Sequence, residues 1–314
     1  MIRYVIKRLL SAIPLLILIS IIVFSLIHII PGDPIKIMLG IYGDHELVET
    51  LKVQLNLDKP IAVQYFLWMG KVLHGDLGLS IRSKTPVLEI ILERIPRTFM
   101  LAGGALSISI FISIISGVIA ASRRNTAIDF SVMTFAIIGQ SIPQFWMAIM
   151  LILFFSLFLN LLPSMGFIPF LENPVESIKH LILPAVSLGI PQASIAARMT
   201  RSAMLEILGQ DYIRTARAKG LKERAVIFNH ALKNALIPIT TILGIQFAFL
   251  MGGTVVIEQI FVYPGLGKLA IDAIFNRDYT VIQGVVLFTS TFFIIINLIV
   301  DIVYVALNPK VKLD

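Results

Sequence analysis

Two stretches of this chain, "LLSAIPLLILISIIVFSLIHII" over 9–30 and "VIQGVVLFTSTFFIIINLIVDIVYVAL" over 281–307, each exceed twenty residues and hold Asp301 as their only acid and no Lys or Arg. About 20 consecutive apolar residues are what a helix needs to cross a hydrocarbon core roughly 30 Å thick. In lipid a backbone must satisfy its own polar groups, which leaves helices or closed barrels, and runs this long without alternation read as helices. The whole composition agrees, with 57% hydrophobic and 14% charged residues. The chain reads as an all-α membrane protein.

Six spans are expected, at 9–30, 98–122, 130–162, 180–197, 236–257 and 281–307. Arg3, Lys7 and Arg8 precede the first, which is longer than a signal core and ends in "IIPGDP", so it reads as a retained span. The third is too long for one straight helix, and "GQSIPQFW" over 139–146 places a break or kink at Pro143. Residues 31–97 hold eight basic and eight acidic residues and read as a partly helical extracytoplasmic segment. With six spans, the side carrying both termini holds fifteen Lys and Arg against eleven opposite, and eight of the eleven lie in the long 31–97 segment, which counts for little. Both termini are therefore expected in the cytoplasm, and the whole chain is expected to be one membrane domain.

The formal charge of +7 raises nucleic acid as a partner. The basic residues cluster beside apolar runs without the aromatic interleaving of a single-strand groove, so topology explains the charge and no nucleic acid is expected. Cysteine is absent, which excludes disulfides, thiolate metal sites and a cysteine nucleophile. His28, His45, His74, His180 and His230 have no ligand spacing, and no G-x-S-x-G elbow occurs. "YPGLGKL" over 263–269 fails as a phosphate loop, because Val262 replaces the first glycine and Leu269 the hydroxyl residue. No catalytic residue, metal ligand or cofactor site is expected in this chain.

The expected cytoplasmic segment 198–234 is more ordered than a topology signal requires. In "DYIRTARAKGLKERAVIFNHALKNALIP" a short helix should stop at Gly220 and a second begin just after it. Small residues Ala216 and Ala218 would let a partner surface come close, and the surrounding Arg and Lys would pair with its acids. Inserting each of these cations into the membrane centre would cost about 3 kcal/mol, so the segment lies outside the lipid.

Here the chain resembles a known family. "RTARAKG" within that stretch is similar to the coupling loop of ABC importer permeases, in the dipeptide, oligopeptide and nickel branch. "PGDP", "GDLGLS", "SIPQFW", "ARMTRSAML", "YPGLGKL" and "RDY" follow in the same order, so the resemblance spans nearly the whole chain. Where the generic pattern begins Glu-Ala-Ala this chain reads Arg214, Thr215 and Ala216, so it departs at the first two positions and keeps the alanine at the third. The resemblance implies the type I importer permease fold and a bacterial or archaeal inner membrane. It implies, as partners, a second homologous permease, two ATPase subunits that bind ATP and Mg, and an extracytoplasmic binding protein. Asp211, Tyr212, Arg214, Ala216, Arg217, Lys219 and Gly220 would then couple to an ATPase. The cargo would be a di- or oligopeptide, with nickel or another solute as alternatives.

Polar groups inside spans tend to face an aqueous path or a neighbouring helix, which singles out Gln140, Ser141, Gln144, Gln192, Gln246 and Asn297. Pro143 and Pro191 are candidate hinges. Two other classes stay open from the residues themselves: a self-contained secondary transporter or channel, and a receptor or scaffold that recruits a cytoplasmic partner. Neither related halves nor an intramembrane ion relay is visible to favour the first.

Overall fold

The structure is a computed structural model that describes residues 2–29 and 58–307. The "PGDP" motif at 31–34 and the C-terminal residues 308–314 lie outside the described residues. Among the described residues no strand forms, and Leu79 and Pro86 make an isolated antiparallel bridge. The helices are α1 (Ile2–Ile29), α2 (Ile61–Leu73), α3 (Val87–Ser122), α4 (Ala127–Ser141) and α5 (Gln144–Leu151), the last running into a π-helical stretch Ile152–Phe158. Then come α6 (Pro174–Leu208), α7 (Asp211–Ala218), α8 (Lys233–Gly253), α9 (Val255–Ile260), α10 (Leu266–Phe275) and α11 (Tyr279–Leu307). A helical turn Glu223–Ala225 and a π-helical stretch Val226–Leu232 lead into α8. Five helices are long and apolar enough to cross a membrane, or six if the bent pair of α4 with the Gln144–Phe158 helix is one span.

Several boundaries differ from those the apolar runs suggest. Helix α3 starts at Val87 rather than 98 and spans 36 residues, or about 54 Å at 1.5 Å per residue, more than the hydrocarbon requires. Glu89, Glu93, Arg94 and Arg97 hide its first turns from a hydropathy reading, yet Val87 and Ile91 are fully buried there and Arg97 donates to Glu93 at 2.7 Å. Helix α6 likewise extends from 174 to 208, started by Asn173, whose side chain accepts from the Glu176 amide, with Pro174 at the first helical position. The fifth expected span, 236–257, is interrupted at Thr254 between α8 and α9.

At Pro143 the chain does more than kink, for the two helices meet at 99°. A residue before proline is pushed out of the helical region, and Ile142 (φ −76, ψ 124) and Pro143 (φ −60, ψ 135) are both extended. Two consecutive non-helical residues redirect the chain, and a new helix starts when the Met147 amide bonds the Pro143 carbonyl.

The chain divides into two compact units. One comprises Ile2–Arg97 and Gly265–Ile294. Its anchor is Asp278, a buried carboxylate that accepts from Ser80 Oγ at 2.6 Å and from the Ile81 and Val281 amides at 3.3 Å each. One side chain thus caps α11 and ties down the loop before α3, joining "GDLGLS" to "RDY" across almost 200 residues. Gly78 belongs there because its φ is +86 and a Cβ would lie 2.8 Å from Thr280. In the same unit Ser20 meets Tyr65 at 2.8 Å, and Gln283 donates to the Val23 carbonyl at 3.2 Å.

The other unit comprises Thr98–Pro264 and the segment from Ile295. Its helices meet at small residues, as helices do when lipid offers no hydrophobic contrast and close packing must supply the attraction. A Cβ on Gly117 of α3 would lie 2.5 Å from Thr200 Cβ and 2.9 Å from the Ala197 carbonyl oxygen of α6, and one on Gly189 of α6 would lie 2.8 Å from the Ala105 carbonyl oxygen of α3. The residue numbers rise together, so α3 and α6 run parallel. Against α4, Gly139 approaches Ser194 while Asp129 meets Arg201, the opposite order, so α4 and α6 are antiparallel.

Candidate functional site

Helix α7 is short and polar outside, and its inner face explains why it is ordered. Ile213 and Ala216 are buried in a core that also holds Met204 of α6, Val226, Ala231 and Ala235. The i, i+3 spacing turns both toward that core, while Asp211, Arg214, Thr215 and Ala218 face outward. Asp211 in the first turn and Arg217 in the last complement the helix dipole.

Past Lys219 the chain reverses through Gly220 at φ +77. The Gly220 amide bonds the Arg217 carbonyl at 2.9 Å and the Leu221 amide reaches the Ala216 carbonyl at 3.4 Å, which is the paired arrangement of a Schellman cap. Space around a Cβ at Gly220 is open, so the demand for glycine comes from the backbone angle alone.

Arg217 closes the turn from the side. Its Nε donates to Glu223 Oε2 at 3.1 Å and its Nη2 to Oε1 at 2.6 Å, a two-point grip joining the end of α7 to the start of the next helical stretch. Arg214 reaches Asp211 at 3.4 Å, and the exposed Tyr212 phenol accepts from Asn234 Nδ2 at 2.9 Å. The Arg217 hydrogen bond holds the Glu223 carboxyl below its ordinary range. A depressed carboxyl contributes stability that is present above its unfolded value and lost as pH falls through its folded one. The cap should therefore keep its amide protection from pH 7 down to about 5 and weaken below about 4.5, by well under 1 kcal/mol because the pair is exposed. Hydrogen exchange at Gly220 and Leu221, corrected for intrinsic rates, would read this, and Glu223→Gln should abolish the step.

One expectation needs correcting. The sequence suggests Ala216, with Ala218, as a small residue that admits a partner, but Ala216 is only 7% exposed and belongs to this chain's own core. Two residues are over half a helical turn apart, so the two alanines point to different sides, and the outward one is Ala218.

The polar residues singled out in the spans fall into separate places. Gln192 and Gln246 come together: Gln246 Nε2 donates to the Gln192 carbonyl at 2.9 Å, and Ser109 Oγ donates to Gln246 Oε1 at 3.2 Å. All three are buried, so they tie α3, α6 and α8 to one another. Gln140, Ser141, Pro143 and Gln144 gather at the α4 to α5 break, where Ser141 Oγ donates to the Ile137 carbonyl at 2.9 Å. Asn297 lies on α11, and Pro191 is buried inside α6, which continues through it.

Sequence reasoning passed over an ion pair of this region whose carboxylate is buried. Asp129, 2% exposed, accepts from Arg201 Nε at 2.6 Å and Nη2 at 2.7 Å and from the Asn125 amide at 3.0 Å. The available signal was a lone acid in "NTAID" entering an apolar run and the second of two arginines in "ARMTRSAML", 72 residues apart. Glu258, fully buried and accepting from Thr254 Oγ1 at 2.7 Å, was also missed. Among the described residues no group of three or more His, Cys, Asp or Glu is arranged to hold a metal ion.

Residues 113–313 match the family described as "Binding-protein-dependent transport system inner membrane component", and residues 1–102 match its N-terminal counterpart. A protein of Brucella abortus (strain 2308), provisionally named a peptide transport system permease protein, is 45% identical over 310 residues, covering 99% of each chain. The glutathione transport system permease protein GsiC of Escherichia coli (strain K12) is 41% identical over 312 residues, again covering 99% of each. Among solved structures, a chain of the MetNI methionine ABC transporter in an inward-facing conformation aligns at a TM-score of 0.59 and 20% identity. The alignment covers 70% of this chain and 96% of that one, which shows a shared fold.

Proposed function

This chain belongs to the binding-protein-dependent transport system inner membrane components, and from that premise we propose that it is the permease subunit of an ATP-driven importer of short peptides. The observation that carries the cargo class is full-length relatedness to two permeases named for peptide and for glutathione, itself a tripeptide. The chain forms half of the translocation pathway, and a second homologous permease forms the rest. Two ATPase subunits carry ATP and Mg, and an extracytoplasmic binding protein delivers cargo. Both termini lie in the cytoplasm, as the charge balance of the short loops favours.

In this reading α7 is the coupling helix, held rigid by its buried face, its Schellman cap and the Arg217 to Glu223 grip. Asp211, Tyr212, Arg214, Arg217 and Lys219 present the outward surface, Gly220 sets the turn, and Ala216 fixes the helix from within. ATP-driven closure of the ATPases moves this rigid body and with it the spans, shifting the population between inward-open and outward-open states. Gln140, Ser141, Gln144 and Asn297 are the proposed pathway residues and Pro143 the proposed hinge. Gln192 and Gln246 are better suited to holding the bundle together.

The test is ATP-dependent uptake of a labelled dipeptide by the complex reconstituted in vesicles, with the binding protein supplied. Ala218→Trp, which alters only the outward face, should leave melting of this chain unchanged, release the ATPases and cut uptake to background. Ala216→Trp should instead lower the melting temperature, because it overfills the core. Wild-type uptake by Ala218→Trp, or uptake that needs no ATP, would overturn the coupling assignment.

A further inference from the structure

A cavity of about 230 Å3 lies beside α7, between the turn that follows α3 and the end of α6. Leu205, Leu208 and Ile227 form its apolar walls, and Arg124, Arg217 and Glu223 its polar ones. Arg217 and Glu223 are committed to each other, whereas Arg124 forms no ion pair among the described residues. The polar wall therefore carries a net positive charge, and the carboxylate whose field reaches Arg124, that of Asp129, is already gripped by Arg201.

That charge is presented by a rigid turn. Asn125 takes φ +61, its amide donates to Asp129 Oδ2 at 3.0 Å, and Thr126 Oγ1 donates to the Arg123 carbonyl at 2.6 Å. Asp129 is in turn held by Arg201. A guanidinium on a fixed turn loses little backbone freedom when a ligand arrives, which favours recognition. The surroundings have the same sign: in 122–129 and 198–234, seven Lys and Arg form no ion pair among the described residues, against one such acid, Glu206.

We infer that this cavity receives an acidic side chain of the ATPase subunit, its stem against Leu205, Leu208 and Ile227 and its carboxylate on Arg124. The inference rests on the reading that α7 docks on that subunit, since Arg217 belongs both to α7 and to the cavity wall. A glutamate suits the site because it pairs an apolar stem with a charge opposite to the unpaired one, and the volume admits a single side chain. The cavity then gives the interface a second point of contact beside the helix, and two points fix rotation where one does not.

The experiment uses the assembled complex with Arg124→Lys, which keeps the charge and introduces an amine. A water-soluble carbodiimide activates a carboxylate, and an amine touching it displaces the urea to leave an amide with no spacer. Mass spectrometry of the peptide holding position 124 then identifies the carboxylate. Attachment to an Asp or Glu of the ATPase subunit is the expected result, together with about a tenfold weaker association of that subunit with Arg124→Gln, the size of one lost charge contact. Attachment to Glu223 or another acid of this chain, or no attachment while the ATPases stay bound, would overturn the inference and leave the coupling role of α7 standing. Absence of any co-purifying ATPase would overturn both.

Discussion

Asp129→Ala should lower the stability of the purified chain by about 3 kcal/mol or more, the largest single effect expected from a side chain outside the apolar core. The carboxylate is 2% exposed and takes both a two-point grip from Arg201 and the Asn125 amide. Removing it strands a partly buried guanidinium, and breaking a buried pair from one side typically costs about 3–5 kcal/mol. Arg201→Ala should cost nearly as much, for it strands the carboxylate. The double variant should be no worse than the more damaging single one, because neither charge then remains uncompensated. Melting in mild detergent of all four proteins measures this, and strictly additive losses would mean that the pair does not hold α4 to α6.

Gly117→Leu should be among the most damaging changes at a glycine, with a loss of about 3 kcal/mol, at the upper end for overfilling a packed core. Even a Cβ there would stand 2.5 Å from Thr200 Cβ and 2.9 Å from a backbone oxygen of α6. A flexible side-chain tip can move aside, but the Ala197 carbonyl can do so only if the helix moves. The result expected is poor insertion yield and a lowered melting temperature, with Gly103→Leu, where nothing lies within 4 Å of a Cβ, as the harmless comparison. Equal stability of the two variants would refute the close approach of α3 and α6.

Much of the site was legible because it is written in local rules. Gly220 after a run of helix formers announces a cap, and the structure provides one with both of its hydrogen bonds. Pro143 announces a break, since proline constrains its own φ and the residue before it. The angle of that break was not legible, because a hydropathy window reports how much apolar surface a segment has and not the direction in which it leaves a bend. Boundaries at Val87 and Leu208 were missed for a related reason: a helix continues through polar residues wherever its inner face stays packed, as Val87, Ile91 and Met204 do.

By itself, the sequence determined that this is a helical membrane protein, which short loops are basic, and where a capped turn must stand between two helices. These follow from solvent and from backbone angles, and both act residue by residue. Only the tertiary structure decided that Ala216 faces inward and Ala218 outward, that Asp129 meets Arg201, that Asp278 joins two motifs nearly 200 residues apart, and that Gln192 and Gln246 share a hydrogen bond. Those outcomes depend on which helix faces arrive at the same place, and packing settles that through volume and charge compensation among residues far apart in the chain.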